Sequence, residues 1–106
     1  MLDDLDSPVQ RQMQTWLSTF DAEGVSVAGI LCDRHAENPE KTALLYEDAL
    51  DNRARYTFAQ LRDLSSRSAG ALKALGVTKG DRVATLLPKS PELLVTTLGL
   101  WRLGAA

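Results

Sequence analysis

The sequence predicts an α/β fold, with a short β-hairpin and βα units belonging to a mixed or parallel sheet that these 106 residues leave incomplete. Three observations predict it. Arg82 to Leu87 (RVATLL) is a nearly unbroken apolar run, the pattern of a strand covered on both faces in a parallel sheet. Ser90-Pro91-Glu92 follows it as a helix start, and the helix it opens is apolar almost all round up to Leu103. Ahead of both, two short strand patterns lead into a capped amphipathic helix, so helix and strand alternate as in layered α/β folds.

In chain order, Met1 to Asp6 read as a frayed acidic tail. Ser7-Pro8 opens a helix, with Ser7 as N-cap and Pro8 at the first helical position, where a missing N–H does no harm. Val9, Met13, Trp16, Leu17 and Phe20 recur at spacings of three and four and give one apolar face. That stripe makes Trp16 a core anchor rather than a ligand-stacking residue. Ser26 caps a second helix expected to run to about Glu37, where Asn38-Pro39 ends it because the residue before proline is driven out of the helical region.

Thr42 to Tyr46 (TALLY) and Arg55 to Thr57 are short strands joined by a polar, turn-rich stretch, a small hairpin with a long loop. Thr57-Phe58-Ala59-Gln60 fits a capping box, with Tyr56 and Leu61 at the hydrophobic-staple positions. Phe58, Leu61, Leu64, Ser68, Ala71, Leu72 and Leu75 form the expected buried face of the helix that follows, and Gly76 supplies its left-handed end. After the Arg82–Leu87 run, Pro88-Lys89 is a turn. Ser90 caps the last helix, with Pro91 at its first position and Glu92 near the positive end of the dipole. A buried parallel strand followed by a helix needs a next strand beside it, so the chain reads as part of a larger domain.

Composition excludes several classes. A formal net charge of −2 leaves no basic footprint for nucleic acid and no polybasic membrane patch. One cysteine, Cys32, rules out an internal disulfide framework and fits a reducing cytoplasm. The acidic start lacks the basic and apolar regions of a secretory signal. The apolar stretch Leu93 to Leu103 is interrupted and falls short of the about 20 residues that span a bilayer. The seven glycines are scattered, and neither GxGxxG nor GxxxxGKS/T occurs. Cys32 and His35 lack a spacing that marks a nucleophile pair or a metal site, and read as a buried thiol and a helix-terminal histidine. No catalytic or metal residue is assigned. The weak binding candidates are Lys89 and Ser90, at the carboxyl end of a strand and the start of a helix, where open α/β sheets place ligands. The Lys89 side chain with the N–H groups of Glu92 and Leu93 would hold a phosphate or carboxylate there. The plainer alternative, favoured because Glu92 would repel an anion, is a capping Ser90 and a solvent-facing Lys89.

Several segments come in a familiar order: Asp33-Arg34-His35-Ala36, Asn38-Pro39-Glu40-Lys41-Thr42-Ala43-Leu44, Tyr56-Thr57-Phe58-Ala59-Gln60-Leu61, Leu75-Gly76-Val77-Thr78-Lys79-Gly80-Asp81-Arg82-Val83-Ala84, Leu87-Pro88-Lys89-Ser90-Pro91-Glu92-Leu93 and Arg102-Leu103-Gly104-Ala105-Ala106. Their joint order resembles the N-terminal part of the AMP-forming adenylating enzymes, over roughly residues 26–106. Val27-Ala28 and the Cys32 to Ala36 opening look most like acetyl- and medium-chain acyl-CoA synthetases. The resemblance implies residues 1–25 as an N-terminal extension with an amphipathic helix and residues 26–106 as the start of the AMP-binding domain. It implies a parent acid–thiol ligase that uses ATP, Mg2+ and CoA on a carboxylic acid, with the remainder of the same domain as this segment's partner and no nucleic acid or membrane. The family's phosphate loop, nucleotide-binding stretch and C-terminal lysine find no match here, so this segment alone is expected to be inactive and to self-associate. The other readings are a fragment of a peptide-synthetase adenylation domain and a free-standing α/β interaction module.

Overall fold

The computed structural model describes residues 7–106, so the expectation for Met1 to Asp6 lies outside the described residues. The elements are helix α1 (Pro8–Phe20), helix α2 (Val27–Leu31), a 3-10 turn (Asp33–His35), strands β1 (Thr42–Glu47) and β2 (Arg53–Thr57), helix α3 (Phe58–Ala74) and helix α4 (Pro91–Arg102). The second helix is thus shorter than its pattern suggests. It unwinds at Cys32, whose φ of −127° and ψ of −63° leave the helical region.

β1 and β2 form an antiparallel pair with Leu44 opposite Tyr56 and Glu47 opposite Arg53, and a register shift between Thr42 and Leu44. The hairpin loop is built on one side chain. Asp48 Oδ1 accepts from the N–H groups of Leu50 (2.8 Å) and Asn52 (2.9 Å), and Oδ2 accepts from Asn52 Nδ2 (2.8 Å). Those bonds, the Asn52 side chain foremost, hold the Asp48 carboxyl below its usual range. The loop costs one residue in left-handed backbone, Asp51 at φ 62°, a conformation that Asp tolerates better than most.

α3 begins as its sequence dictates. Gln60 N–H donates to Thr57 Oγ1 (3.1 Å) and Thr57 N–H donates to Gln60 Oε1 (2.8 Å), closing the capping box. Tyr56 packs on the cluster that contains Leu61, as the staple requires. The buried line of α3 is Leu61, Ser65 and Ala69, spaced four apart. This differs from the expected stripe, since Ala71 and Leu75 face solvent. Small residues win the interface because α4 crosses here at close range. A Cβ on Gly99 would lie 2.8 Å from Ser68 Oγ, 3.0 Å from Ser68 Cβ and 3.1 Å from the Ala69 nitrogen. The core is small: Cys32, Leu61 and Leu98, with Ala43, Tyr56, Phe58, Leu94 and Val95 packed against it.

Two further expectations change in the structure. α1 buries none of its residues, and Trp16 stands 53% exposed instead of anchoring a core. Phe20 at the end of α1 meets the next elements, its ring 4.9 Å from the Arg34 guanidinium. The run Arg82–Leu87 is non-helical but forms no ladder, and Leu86 is fully solvent-exposed. An apolar run becomes a strand only when a neighbour satisfies its backbone, and here the neighbour is three residues long. Gly80 N–H donates to the Gly104 carbonyl (2.9 Å), Ala106 N–H to the Asp81 carbonyl (2.8 Å) and Val83 N–H to the Ala106 carbonyl (2.8 Å). One residue bonding to both flanks of Arg82 is the slanted pattern of a parallel pair. Gly104 makes the approach possible: its φ is 74°, and a Cβ would sit 2.9 Å from Lys79 Cγ.

The consequence is an open body. Its radius of gyration is 17.5 Å, against about 13 Å for a compact domain of 100 residues. Large apolar side chains such as Val9, Leu17, Leu45, Leu50 and Leu86 stand exposed among the described residues.

Candidate functional site

The turn that leads into α4 carries the two residues singled out from the sequence. Ser90 sits at the N-cap position with extended backbone (φ −152°, ψ 164°), yet its side chain makes no capping bond. Its hydroxyl donates instead to the Pro88 carbonyl at 3.1 Å, and the Leu93 N–H turns back to the Ser90 carbonyl at 3.2 Å. Lys89 is exposed. Both residues rim an open cleft of about 410 Å³ whose other walls are Leu44, Tyr46, Pro91, Leu93, Leu94 and Thr97. The walls are apolar, and a cation stands at the edge. Such a surface suits apolar chain laid across it better than a phosphate, which needs several convergent donors.

Cys32 and His35 are close in sequence but have separate partners. Cys32 is buried and its thiol lies 3.5 Å from the Phe58 carbonyl. Burial first and the adjacent Asp33 charge second raise its pKa above the ordinary thiol value, so it is held as a neutral thiol and not as a nucleophile. The His35 ring stacks on Phe58 with centroids 4.8 Å apart. His35 Nδ1 lies 3.2 Å from Lys41 Nζ. Desolvation, with the Lys41 and Arg34 charges after it, keeps the imidazole pKa below its usual value. The lysine ammonium can only donate, so Nδ1 is the accepting nitrogen of this contact.

One polar group that joins three elements was missed by sequence reasoning. Arg102, the last residue of α4, reaches Asp33 with both terminal nitrogens, Nη1 to Oδ2 at 2.8 Å and Nη2 to Oδ1 at 2.5 Å. Its Nε donates to Ser65 Oγ at 2.8 Å, and Ser65 has no solvent exposure. The Arg102 bonds hold the Asp33 carboxyl below its usual range, and Asp33 raises the Arg102 pKa in turn. Two signals in the sequence could have pointed here. Arg102 is the one base in an otherwise apolar helix, and Ser65 breaks an apolar face. Neither names a partner, because Asp33 is far away in the chain.

Among the described residues, no group of three or more His, Cys, Asp or Glu side chains could hold a metal ion, and no helix is long and apolar enough to cross a membrane. Lys89 and Ser90 border an apolar cleft at the start of α4, and Arg102 ties the end of this helical unit to Asp33 and Ser65.

Comparison with known proteins gives that unit a context. The family model for AMP-binding enzyme matches residues 32–106. Acetyl-coenzyme A synthetase 2 of Eremothecium gossypii is 50% identical over 76 residues, 69% of this chain and 11% of that protein. Acetyl-coenzyme A synthetase of Streptomyces coelicolor is 42% identical over 84 residues, 77% of this chain and 13% of its own length. A crystal structure of an acyl-CoA synthetase from Brucella canis superimposes with a TM-score of 0.74 at 38% identity, covering 78% of this chain and 15% of that one. The chain thus spans about an eighth of the length of the curated relatives it matches.

Proposed function

The chain belongs to the AMP-binding enzyme family, and from that premise we propose that it is the opening segment of an acyl-CoA synthetase of the acetyl- or short- to medium-chain type. In this reading the whole enzyme joins a carboxylic acid to CoA at the expense of ATP. The carboxylate attacks the α-phosphate to give an acyl-adenylate and pyrophosphate, and the CoA thiol then displaces AMP. Residues 1–25 are an N-terminal extension and residues 26–106 begin the nucleotide-binding domain. The observation that carries the proposal is the identity of 50% to an acetyl-coenzyme A synthetase across most of the chain.

The residues of this segment do not fit ATP or Mg2+. There is no glycine-rich loop, the Ser90 hydroxyl is committed to a carbonyl, and no acidic cluster among the described residues could take a cation. No chemical step is therefore derived through them. Their work in the enzyme is architectural. α3 and α4 cross at Gly99, the Arg102 tie fixes the end of α4, and Gly104 to Ala106 are laid parallel to Gly80–Val83. In the complete domain, further strands cover Leu86 and Leu87 and further chain fills the cleft beside Lys89. The lone reduced cysteine fits a cytoplasmic enzyme.

The test is the product of the complete reading frame, assayed with acetate, propionate, butyrate and octanoate for CoA thioester and AMP. Thioester formation that needs CoA and ATP, with a preference for the shorter acids, is expected. Release of ADP instead of AMP, or no thioester with any of the acids, overturns the reading. In the same protein, Lys89→Ala is expected to leave acyl-adenylate formation within about tenfold of the parent; a larger loss with the fold intact would give Lys89 a catalytic role.

A further inference from the structure

We infer that Arg102 is a positioning residue: its fork on Asp33 and Ser65 sets the angle at which Gly104–Ala106 meets Gly80–Val83, and so aligns the first parallel contact of the sheet. Three observations converge on it. First, the guanidinium joins three separate elements, α4 by its own backbone, the 33–35 turn through Asp33 and α3 through Ser65. Two of its nitrogens meet both oxygens of one carboxylate, a geometry that fixes direction as well as distance. Second, the group is well covered. The Arg102 side chain is 16% exposed and Ser65 is fully buried, with its hydroxyl also 3.2 Å from the Arg62 carbonyl. A long side chain held at three points behaves as a strut, not as a solvated charge. Third, Arg102 is placed where its angle is transmitted. Leu103 closes the helix, Gly104 turns with φ 74°, and the Ala106 N–H and carbonyl then bond to Asp81 and Val83.

Packing holds α4 at Gly99 and through the buried Leu98 and Leu100, and the Arg102 fork adds a polar hold at its last residue. The close crossing of α3 and α4 is at Gly99, nearly one turn earlier. Apolar packing has no fixed direction, so a small rotation of α4 about that crossing would displace the tripeptide that follows. The Asp33 fork is a second fixed point. Two points define a line, and the line points Gly104–Ala106 along Asp81–Val83.

Amide hydrogen exchange on the 106-residue chain tests this residue by residue, with Asp33→Asn and Arg102→Lys as variants. Asp33→Asn keeps the shape of the side chain and removes its charge. Arg102→Lys keeps the charge and removes the fork. The inference expects the amides of Gly80, Val83 and Ala106 to exchange roughly tenfold faster or more in both variants, as fits the removal of one partner from a covered ion pair. The amides within α3 and across the β1–β2 hairpin should keep their protection within about twofold. Unchanged exchange at Gly80, Val83 and Ala106 in either variant would overturn it. So would equal loss of protection everywhere, α3 and the hairpin included, since that outcome makes the tie a general stabiliser and not an aligning one.

Discussion

Replacing Gly99 by alanine sets two opposing effects against each other, and the structure decides between them. Glycine inside a helix is disfavoured, so alanine there gains about 1 kcal/mol from backbone entropy alone. Against this, the new methyl would sit 2.8 Å from Ser68 Oγ, 3.0 Å from Ser68 Cβ and 3.1 Å from the Ala69 nitrogen. The hydroxyl can rotate away. The other two atoms belong to the body of α3 and move only if the helices part. Overpacking of this kind costs about 1–3 kcal/mol, so Gly99→Ala should be destabilising by roughly 1 kcal/mol net. Gly70 is the internal control. It lies in α3 with nothing within 4 Å of its would-be Cβ, so Gly70→Ala keeps the propensity gain without the clash. Thermal unfolding followed by far-UV circular dichroism measures both at one fixed protein concentration, because association shifts apparent stability by mass action. Each kcal/mol is worth about 4–8 °C in Tm at this size. Gly99→Ala should melt lower than the parent and Gly70→Ala higher. If Gly99→Ala stabilises as much as Gly70→Ala, the helices do not cross where the structure puts them, and the packing account is wrong.

Thr57→Ala removes one bond of the capping box and should lower stability by about 1 kcal/mol, read in the same melt. The Asp33 carboxyl is held below its ordinary value of 3.8, by Arg102 first, with Arg62 and Cys32 beside it. A depressed carboxylate contributes stability that is full above the unfolded pKa and lost as pH falls through the folded one. Melting temperature should therefore drop as pH falls below about 4, and Asp33→Asn should flatten that part of the profile; an equal drop in the variant would assign it to other carboxylates. Limited trypsin digestion should cut first after Lys89 or Arg82, in the exposed stretch, and not after Arg62 or Arg67 within α3, and the complete enzyme should resist at the same sites. Sedimentation velocity should show the isolated chain associating, since Leu86 and the α1 face are exposed. A monomer with a sharp, concentration-independent transition would count against this.

Local chemistry made the helix starts and the hairpin readable. Ser7-Pro8, the Thr57–Gln60 box and Gly76 each specify their own backbone, and each is found as written. The apolar patterns were readable as patterns, but not as burial. Val9, Trp16 and Leu17 have the spacing of a buried face and are exposed among the described residues, and Leu86 has the setting of a core strand and stands in solvent. Hydrophobic periodicity reports the surroundings a segment is built for, and the relatives that this chain matches are about six times its length. The Asp33–Arg102 pair was illegible for another reason. Its partners are 69 residues apart, and nothing local to either residue specifies the other. Lys89 and Ser90 were visible as a helix-start motif, whereas the apolar cleft they rim depends on Leu44 and Tyr46 from the hairpin, a contact only the fold creates.

The central claim is that this chain is a structural opening segment whose enzyme does its chemistry elsewhere. Acetate-dependent exchange of radiolabelled pyrophosphate into ATP tests it most directly, run side by side on the purified 106-residue chain and on the product of the complete reading frame. The account predicts exchange by the complete protein and none above background by the isolated chain. Exchange catalysed by the 106 residues alone would contradict it.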